Sequence, residues 1–165
     1  MDRLYTHVYT SPVGALYLAV DRRGIVHRVS YSDFRIEEAL VFEENKYACG
    51  ELEYQLDQYF TGQRSTFSLD VNVDGTTFQR AVWSRMRKIG FGQTMTYGVL
   101  AQKIGRRDAA QAVGNAVAAN PIVIVIPCHR IVTASGDIGH YARRWLPENA
   151  GREIKHQLLS LEGAA

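Results

Sequence analysis

Residues 96–132 read TYGVLAQKIGRRDAAQAVGNAVAANPIVIVIPCHRIV, and this stretch decides the fold of the second half of the chain. Thr96 is a helix-capping residue ahead of a short apolar pattern, Leu100 and Ile104, which Gly105 stops. Arg106-Arg107-Asp108 then opens a further helix, predicted over 109–119, with Val113 and Val117 as its apolar stripe. Two short helices joined by a three-residue glycine-containing turn form the helix-turn-helix pattern, whose second helix is presented to DNA. Here that helix is built from Ala109, Ala110, Ala112, Gly114, Ala116, Ala118 and Ala119, so it has almost no long side chains to read base edges in a major groove. Small residues suit tight packing on neighbouring helices, or close approach to the narrow minor groove by shape. Asn120-Pro121 ends the helix. Ile122 to Ile126 is a continuous β-branched run, predicted as a buried strand, and it leads into Pro127-Cys128-His129-Arg130-Ile131-Val132.

Upstream, Thr76 and Thr77 are good caps for a helix carrying Phe78, Val82, Met86 and Ile89 and ending at Gly90, followed by the loop Gly90-Phe91-Gly92. The first half has a different texture. Leu4-Thr6-Val8-Thr10 alternates with Tyr5-His7-Tyr9, Ser11-Pro12-Val13-Gly14 turns into Ala15–Val20, and Asp21-Arg22-Arg23-Gly24 turns into Ile25–Tyr31, which predicts a three-stranded antiparallel meander. Ala48, Leu52, Leu56, Tyr59 and Phe60 recur at helical spacing up to Gly62, and Phe67, Leu69, Val71 and Val73 alternate as a last strand. The expected organisation is an N-terminal α/β scaffold domain over 1–75 and a second, functional domain over 76–165.

Charge divides at the same place. Residues 1–75 carry 7 Lys+Arg against 12 Asp+Glu, whereas residues 76–165 carry 12 against 5, so a net charge of +2 hides a bipolar molecule. A basic half suits a polyanionic partner. The 165 residues, 46% hydrophobic and 22% charged with 4 Pro and 14 Gly, exclude a disordered, collagen-like or mucin-like chain. MDRLYTHVYT at the N-terminus has no secretory pattern, and no run approaches the ~18 apolar residues of a membrane span. The expectation is a soluble intracellular protein with no membrane association, its Cys49 and Cys128 free thiols in a reducing compartment. His7, His27, His129, His140 and His156 are scattered and no CxxC or HExxH is present, so no metal is expected.

The stretch NPIVIVIPCHRIV (120–132), preceded by Phe78, Val82 and Trp83, by GQTMTYG (92–98) and by AVGNA (112–116), resembles the O6-alkylguanine-DNA alkyltransferase family of direct-reversal DNA repair proteins. The resemblance covers 76–141 and resumes at Leu158–Gly163; over 1–75 it is carried mainly by Ser11–Leu16. It implies an α+β fold of two subdomains. One is a small antiparallel sheet with a helix, ribonuclease-H-like; the other is a mostly helical, winged helix-turn-helix-like domain bearing the Pro-Cys-His-Arg site. It also implies that Cys128 accepts the alkyl group, His129 is its base through a water, Glu162 is the carboxylate behind His129, and Tyr97 helps rotate the nucleotide and donates to guanine N3. Tyr141 would pack on the flipped base, the Ala142 N–H would face O6, and the Cys128 and Ile131 carbonyls would take the 2-amino group. Asn120 would be the hinge and Val117 part of the base site. DNA would be met by Gln111, Ala110, Ala112 and Gly114 of the second helix, with Arg106, Arg107, Arg143 and Arg144 at its flanks.

The chemistry agrees with those residue types. Dealkylating guanine O6 is a displacement at carbon that needs a soft thiolate, and a free thiol, pKa ~8.5, needs activation by a His and an orienting carboxylate. Arg130 reads as a structural ion-pair residue. No cofactor is required, and an S-alkyl thioether is not reversed by cellular reductants, so one molecule repairs one lesion. The expected partner is double-stranded DNA containing O6-alkylguanine, met in the minor groove by a monomer with an exposed Cys128. The expected location is cytoplasmic, nucleoid-associated in a prokaryote or nuclear in a eukaryote. Two departures stand out: Gln111 replaces the family's usual intercalating Arg, and Ala142-Arg143-Arg144-Trp145-Leu146-Pro147 replaces a short small-residue link. Arg143, Arg144 and Trp145 are expected to offer two phosphate ligands and a stacking surface that offset part of what Gln111 lacks. Two other readings are a lesion sensor that binds without transferring the group, and a helix-turn-helix regulator. Sensors of this family lack the acceptor Cys, and a regulator leaves Cys128-His129-Arg130, Asn120 and Glu162 without a purpose.

Overall fold

The alternating residues at the start of the chain form β1 (Arg3–Ser11), which turns at Pro12-Val13 into β2 (Gly14–Val20), with Gly14 at a φ of 110. The Asp21 carboxylate accepts the N–H groups of Arg23 and Ile25 and shapes the next turn into β3 (Val26–Ser30). These coordinates are a computed structural model that describes residues 3–35 and 41–165, in two compact units, Met1–Val73 and Asp74–Ala165.

In the first unit the meander is as expected, but the sheet has a fourth strand, β4 (Val41–Glu44), and its order is β3-β2-β1-β4. β4 runs parallel to β1, so the expectation of a purely antiparallel sheet is corrected. The helix is α1 (Gly50–Phe60), which buries Leu52, Gln55, Leu56 and Tyr59. It faces the odd-numbered side of β1: Tyr9 donates to Asp57 at 3.2 Å, and His7 lies 3.4 Å from Glu53. Leu4 and Thr6 on the other side of β1 are also buried, so that end of the strand is covered on both faces. The strand predicted over 67–73 reduces to a single bridge, Val26 to Val71, because Gln55 takes the backbone of Ser68 in both directions and holds the segment off the sheet.

The second unit begins with α2 (Thr77–Met86), capped by Thr76 in a reciprocal box with Gln79. It ends one turn earlier than predicted, the chain tightening through Lys88 and Ile89 into i to i+3 bonds before Gly90. β5 (Met95–Thr96) leads into α3 (Tyr97–Lys103), whose cap Thr96 accepts the Val99 N–H, and α4 (Ala110–Ala118) follows. The connection between α3 and α4 spans residues 104–109, twice the expected length, since Arg106 and Ala109 close a further turn and no side chain caps α4. Trp83 of α2 donates to the Ala116 carbonyl at 2.8 Å, and Val113, Ala116 and Val117 are buried, leaving Ala110, Gln111, Ala112 and Asn115 exposed. Both properties of a small-residue helix are therefore used, packing on one face and a smooth surface on the other. β6 (Ile131–Val132) pairs parallel with β5, and α5 (Glu148–Leu161) closes the unit. Among the described residues no helix is long and apolar enough to cross a membrane.

Candidate active site

The β-branched run 122–126 is not a strand. It folds back on itself, Ile126 N–H donating to the Ile122 carbonyl and Val125 N–H to the Val123 carbonyl at 2.8 Å, with Ile124 at a φ of 73. That i to i+2 bond around a positive φ is a strained γ-turn for a β-branched residue, a conformation that costs of order 1–3 kcal/mol. Pro127 makes the inverse turn at φ −82 and ψ 67, and Cys128 N–H bonds to the Ile126 carbonyl. Asn120 holds the whole loop: its Oδ1 accepts the Ile122 N–H at 3.0 Å and its Nδ2 donates to the Ile126 carbonyl at 2.8 Å. The side-chain amide thus replaces the ladder partner that a strand would need, and the loop ends in the short 3-10 turn Cys128–Arg130.

Behind that turn lies a buried polar cluster. Glu162, at the end of α5, receives His129 Nε2 at 2.7 Å, Arg130 Nε at 2.9 Å and Nη2 at 3.0 Å, and the Gly92 N–H at 3.1 Å. Arg130 Nη1 donates to the Ile89 carbonyl at 2.7 Å, so Arg130 is the structural ion-pair residue expected. The carboxylate and guanidinium neutralise one another. Burial holds His129 below its ordinary value, with Glu162 opposing, so the imidazole is neutral. Since a carboxylate only accepts, Nε2 carries the proton, and Nδ1 is an acceptor with no hydrogen-bond partner among the described residues.

Cys128 opens on the other side into a pocket of about 330 Å³, lined also by Tyr97, Val117, Thr133, His140, Tyr141, Ala142 and Arg143 and by the small residues of α4 with Gln111 and Asn115. This volume is at the lower end of small-molecule sites, roughly 300–1,000 Å³. The exposed nucleophile expected from sequence is corrected: Cys128 is only 4% exposed, because the pocket walls close over it. Burial pushes its thiol up to about 11, against the hydrogen bond from Asn120 and the charge of Lys155. Tyr97 is also raised, by burial first and then by charge at Cys128. Ala142 has a φ of 52, strained for a residue with a Cβ, where the chain leaves Tyr141.

Of the residues predicted from sequence, Cys128, Tyr97, Tyr141, Ala142, Val117, Gln111, Ala110 and Gly114 meet at the pocket, and His129, Glu162 and Asn120 stand behind it. Ile131 is buried without lining the pocket, its carbonyl accepting from Lys155. Arg106 lies 5.3 Å over the Phe78 ring, Arg107 is exposed, and Ala112 is on the exposed face of α4 beside the pocket. Trp145 is buried, which corrects its reading as a stacking surface: Arg144 covers its ring at 4.6 Å and donates to the Ala119 carbonyl at the end of α4. Three contributors escaped the sequence reading. Gly92 supplies a main-chain donor to Glu162, Lys155 of α5 donates to the Ile131 and His140 carbonyls, and Gly151 lets α5 pass against the Tyr141 carbonyl, where a Cβ would collide.

Comparison with known proteins matches two family models to this chain. Residues 4–73 match the ribonuclease-like domain of 6-O-methylguanine DNA methyltransferase, and residues 77–164 match its DNA binding domain. A methylated-DNA–protein-cysteine methyltransferase of Methanosarcina acetivorans is 37% identical, covering 98% of this chain and 99% of that protein. One from Haemophilus influenzae is 35% identical over 98% of this chain and 88% of its own length. Among solved structures, Mycobacterium tuberculosis OGT in complex with DNA superposes with a TM-score of 0.82 at 32% identity, covering 97% of this chain and 92% of that one.

Proposed function

Because the chain belongs to the 6-O-methylguanine DNA methyltransferase family, we propose that it repairs O6-alkylguanine in double-stranded DNA by moving the alkyl group irreversibly to Cys128. The observation that carries the assignment to this residue is the buried thiol lining a pocket of base-sized volume, backed by a neutral His129 whose Nε2 is tied to Glu162. The thiol proton passes through a water to the Nδ1 of His129, which has no hydrogen-bond partner among the described residues. The Sγ lone pair then forms the S–C bond as the C–O6 bond breaks, and the O6 electron pair returns to the guanine ring, which takes up one proton. The net change is thiol plus alkylguanine to thioether plus guanine.

The target atom lies inside the stack, so the nucleotide is rotated into the pocket at a cost of a few kcal/mol. Tyr97 and Tyr141 flank it, the Ala142 N–H faces O6, and the Cys128 carbonyl takes the 2-amino group, whereas the Ile131 carbonyl is engaged by Lys155 outside the pocket. The exposed face of α4, with Ala110, Gln111, Ala112 and Gly114, enters the minor groove, while Arg106, Arg107, Arg143 and Arg144 lie near phosphates. Residues 76–165 form the DNA-binding and transferring part, residues 1–75 a scaffold, and the protein acts as a monomer in the cytoplasm. Intact mass after incubation with an O6-methylguanine oligonucleotide tests this: a gain of about 14 Da, one CH2, mapped to Cys128 supports transfer. Binding without a gain would mean a sensor instead.

A further inference from the structure

We propose that Arg143 is a specificity-determining residue of the acceptor pocket, its guanidinium selecting alkyl groups that carry a carboxylate beside the carbon to be transferred, of which carboxymethyl is the smallest. The proposal rests on the alkyl-transfer reading above. Ala142, at a φ of 52, turns the chain away from Tyr141, and its carbonyl accepts the Trp145 N–H at 2.8 Å and the Leu146 N–H at 2.9 Å. These bonds close a tight turn over 142–146 that the buried Trp145 anchors. Arg143 follows directly on the Ala142 N–H assigned to O6, and it lines the pocket together with Cys128 and Tyr97. The neighbouring arginines of the turn are used differently. Arg144 covers the Trp145 ring at 4.6 Å and donates to the Ala119 carbonyl at 3.1 Å. It lines not the acceptor pocket but an outer hollow of about 440 Å³, with Asn115, Ala118 and Ala119. Arg143 lines both spaces, and among the described residues its guanidinium has no hydrogen-bond or carboxylate partner.

A guanidinium without a partner is a site for an oxyanion. The pocket supplies none of its own: among the described residues no Asp or Glu lines it, and Glu148 lies 3.2 Å from the far ring of His140. Tyr97 feels both Cys128 and Arg143, with opposite sign, so its side chain is within electrostatic reach of the nucleophile and of the guanidinium. A substituent on O6 held beside Tyr97 is within the same reach. In a carboxymethyl lesion the carbon to be transferred is a CH2 bonded to O6 on one side and to a carboxylate on the other. Attack by the Cys128 thiolate forms the S–C bond as the C–O6 bond breaks. The O6 electron pair returns to the guanine ring, which takes up one proton, and the carboxylate stays unchanged on the new thioether. This approach brings an anionic sulfur towards a carboxylate, a repulsion that a neutral alkyl group does not incur. A guanidinium that donates to both carboxylate oxygens offsets it. Carbamoylmethyl, neutral and of nearly the same size, gains no such help. A phosphate of the DNA backbone offers Arg143 the same oxyanion chemistry, but that contact acts alike whatever alkyl group the guanine carries.

The test compares single-turnover rates of Cys128 alkylation by duplexes containing O6-carboxymethylguanine and O6-carbamoylmethylguanine, for the wild-type chain, Arg143→Met and Arg144→Met. The readout is the ratio of the two rates within each protein, from which a common loss of DNA affinity cancels. Arg143→Met is expected to lower the carboxymethyl-to-carbamoylmethyl ratio about tenfold, because a hydrogen-bonded charge pair is lost for the anionic group alone. Arg144→Met, whose side chain lines only the outer hollow of the two, is expected to hold the ratio within about twofold. A fall of less than about threefold in Arg143→Met overturns the proposal and leaves Arg143 to the phosphates. An equal fall in Arg144→Met overturns it as well, since the preference would then come from the positive charge of the whole turn. Should no oligonucleotide, O6-methylguanine included, leave an adduct, the transfer reading fails. Iodoacetate and iodoacetamide, which deliver the same two groups without DNA, then judge Arg143 by the same ratio with adducts mapped to Cys128.

Discussion

Cys49 and Cys128 are both buried free thiols, and burial raises both, Cys49 to about 12 and Cys128 to about 11. Their neighbourhoods have opposite sign. Cys49 precedes α1, its thiol donates to the Tyr5 carbonyl at 3.5 Å, and Glu44 and Glu53 push it further up. Cys128 is opposed by Asn120 and Lys155, and beside it stands a neutral histidine with an unengaged nitrogen. Removing a thiol from water stabilises its protonated form wherever it happens, so burial alone makes an inert cysteine. What sets Cys128 apart is a neutral histidine beside it and neighbours that lower its thiol, where the carboxylates around Cys49 raise the thiol there.

The comparison breaks most directly by exchanging the two sites. Cys128→Ala should abolish the mass gain on an alkylguanine oligonucleotide, whereas Cys49→Ala should leave the transfer rate within about twofold; equal losses would mean that the sign of the surroundings is irrelevant. The next largest effect is on the cluster behind His129. Glu162→Gln leaves the Arg130 guanidinium buried without its carboxylate, a change that costs about 3–5 kcal/mol and should appear as a lower denaturant midpoint. Asn120→Ala removes both staples of the active-site loop at about 1–3 kcal/mol and should slow transfer as well, measured by chemical denaturation and single-turnover rates on the same sample. A smaller effect concerns pH. Because burial holds His129 below its ordinary value of 6.5, the unfolded chain binds a proton that the folded chain refuses as pH falls through 6.5. Stability contributed by the neutral imidazole is therefore present above that pH and lost below it, and His129→Gln should flatten this part of a plot of melting temperature against pH.

What could be read in advance follows the range of the interactions. The caps Thr76 and Thr96 and the stop at Gly62 were legible because each acts within four residues. β4 was not, since VFEE carries no turn signal and its pairing with β1 joins residues far apart in sequence. The run 122–126 was misread because a β-branched composition marks burial, while the choice between strand and folded loop was made by the amide of Asn120. In the site, the motif placed Cys128, His129 and Glu162. Gly92 stood out locally as part of a glycine loop, but its bond to Glu162 depended on where α5 ends. Lys155 did leave one: Gly151, Lys155, Leu158, Leu159 and Glu162 share a helical face, and a lysine on the apolar side of an amphipathic helix is a question in itself.

Gly151 sets the register on which that face depends. A single methyl group there would meet the Tyr141 carbonyl and lift α5 away, and the same helix carries Lys155 one turn on and Glu162 three turns on. Under exhaustive substitution, position 151 would therefore tolerate as little as the nucleophile itself. Intolerance at that position would measure mechanical alignment and not chemistry, because a residue without a side chain governs two charges it never touches.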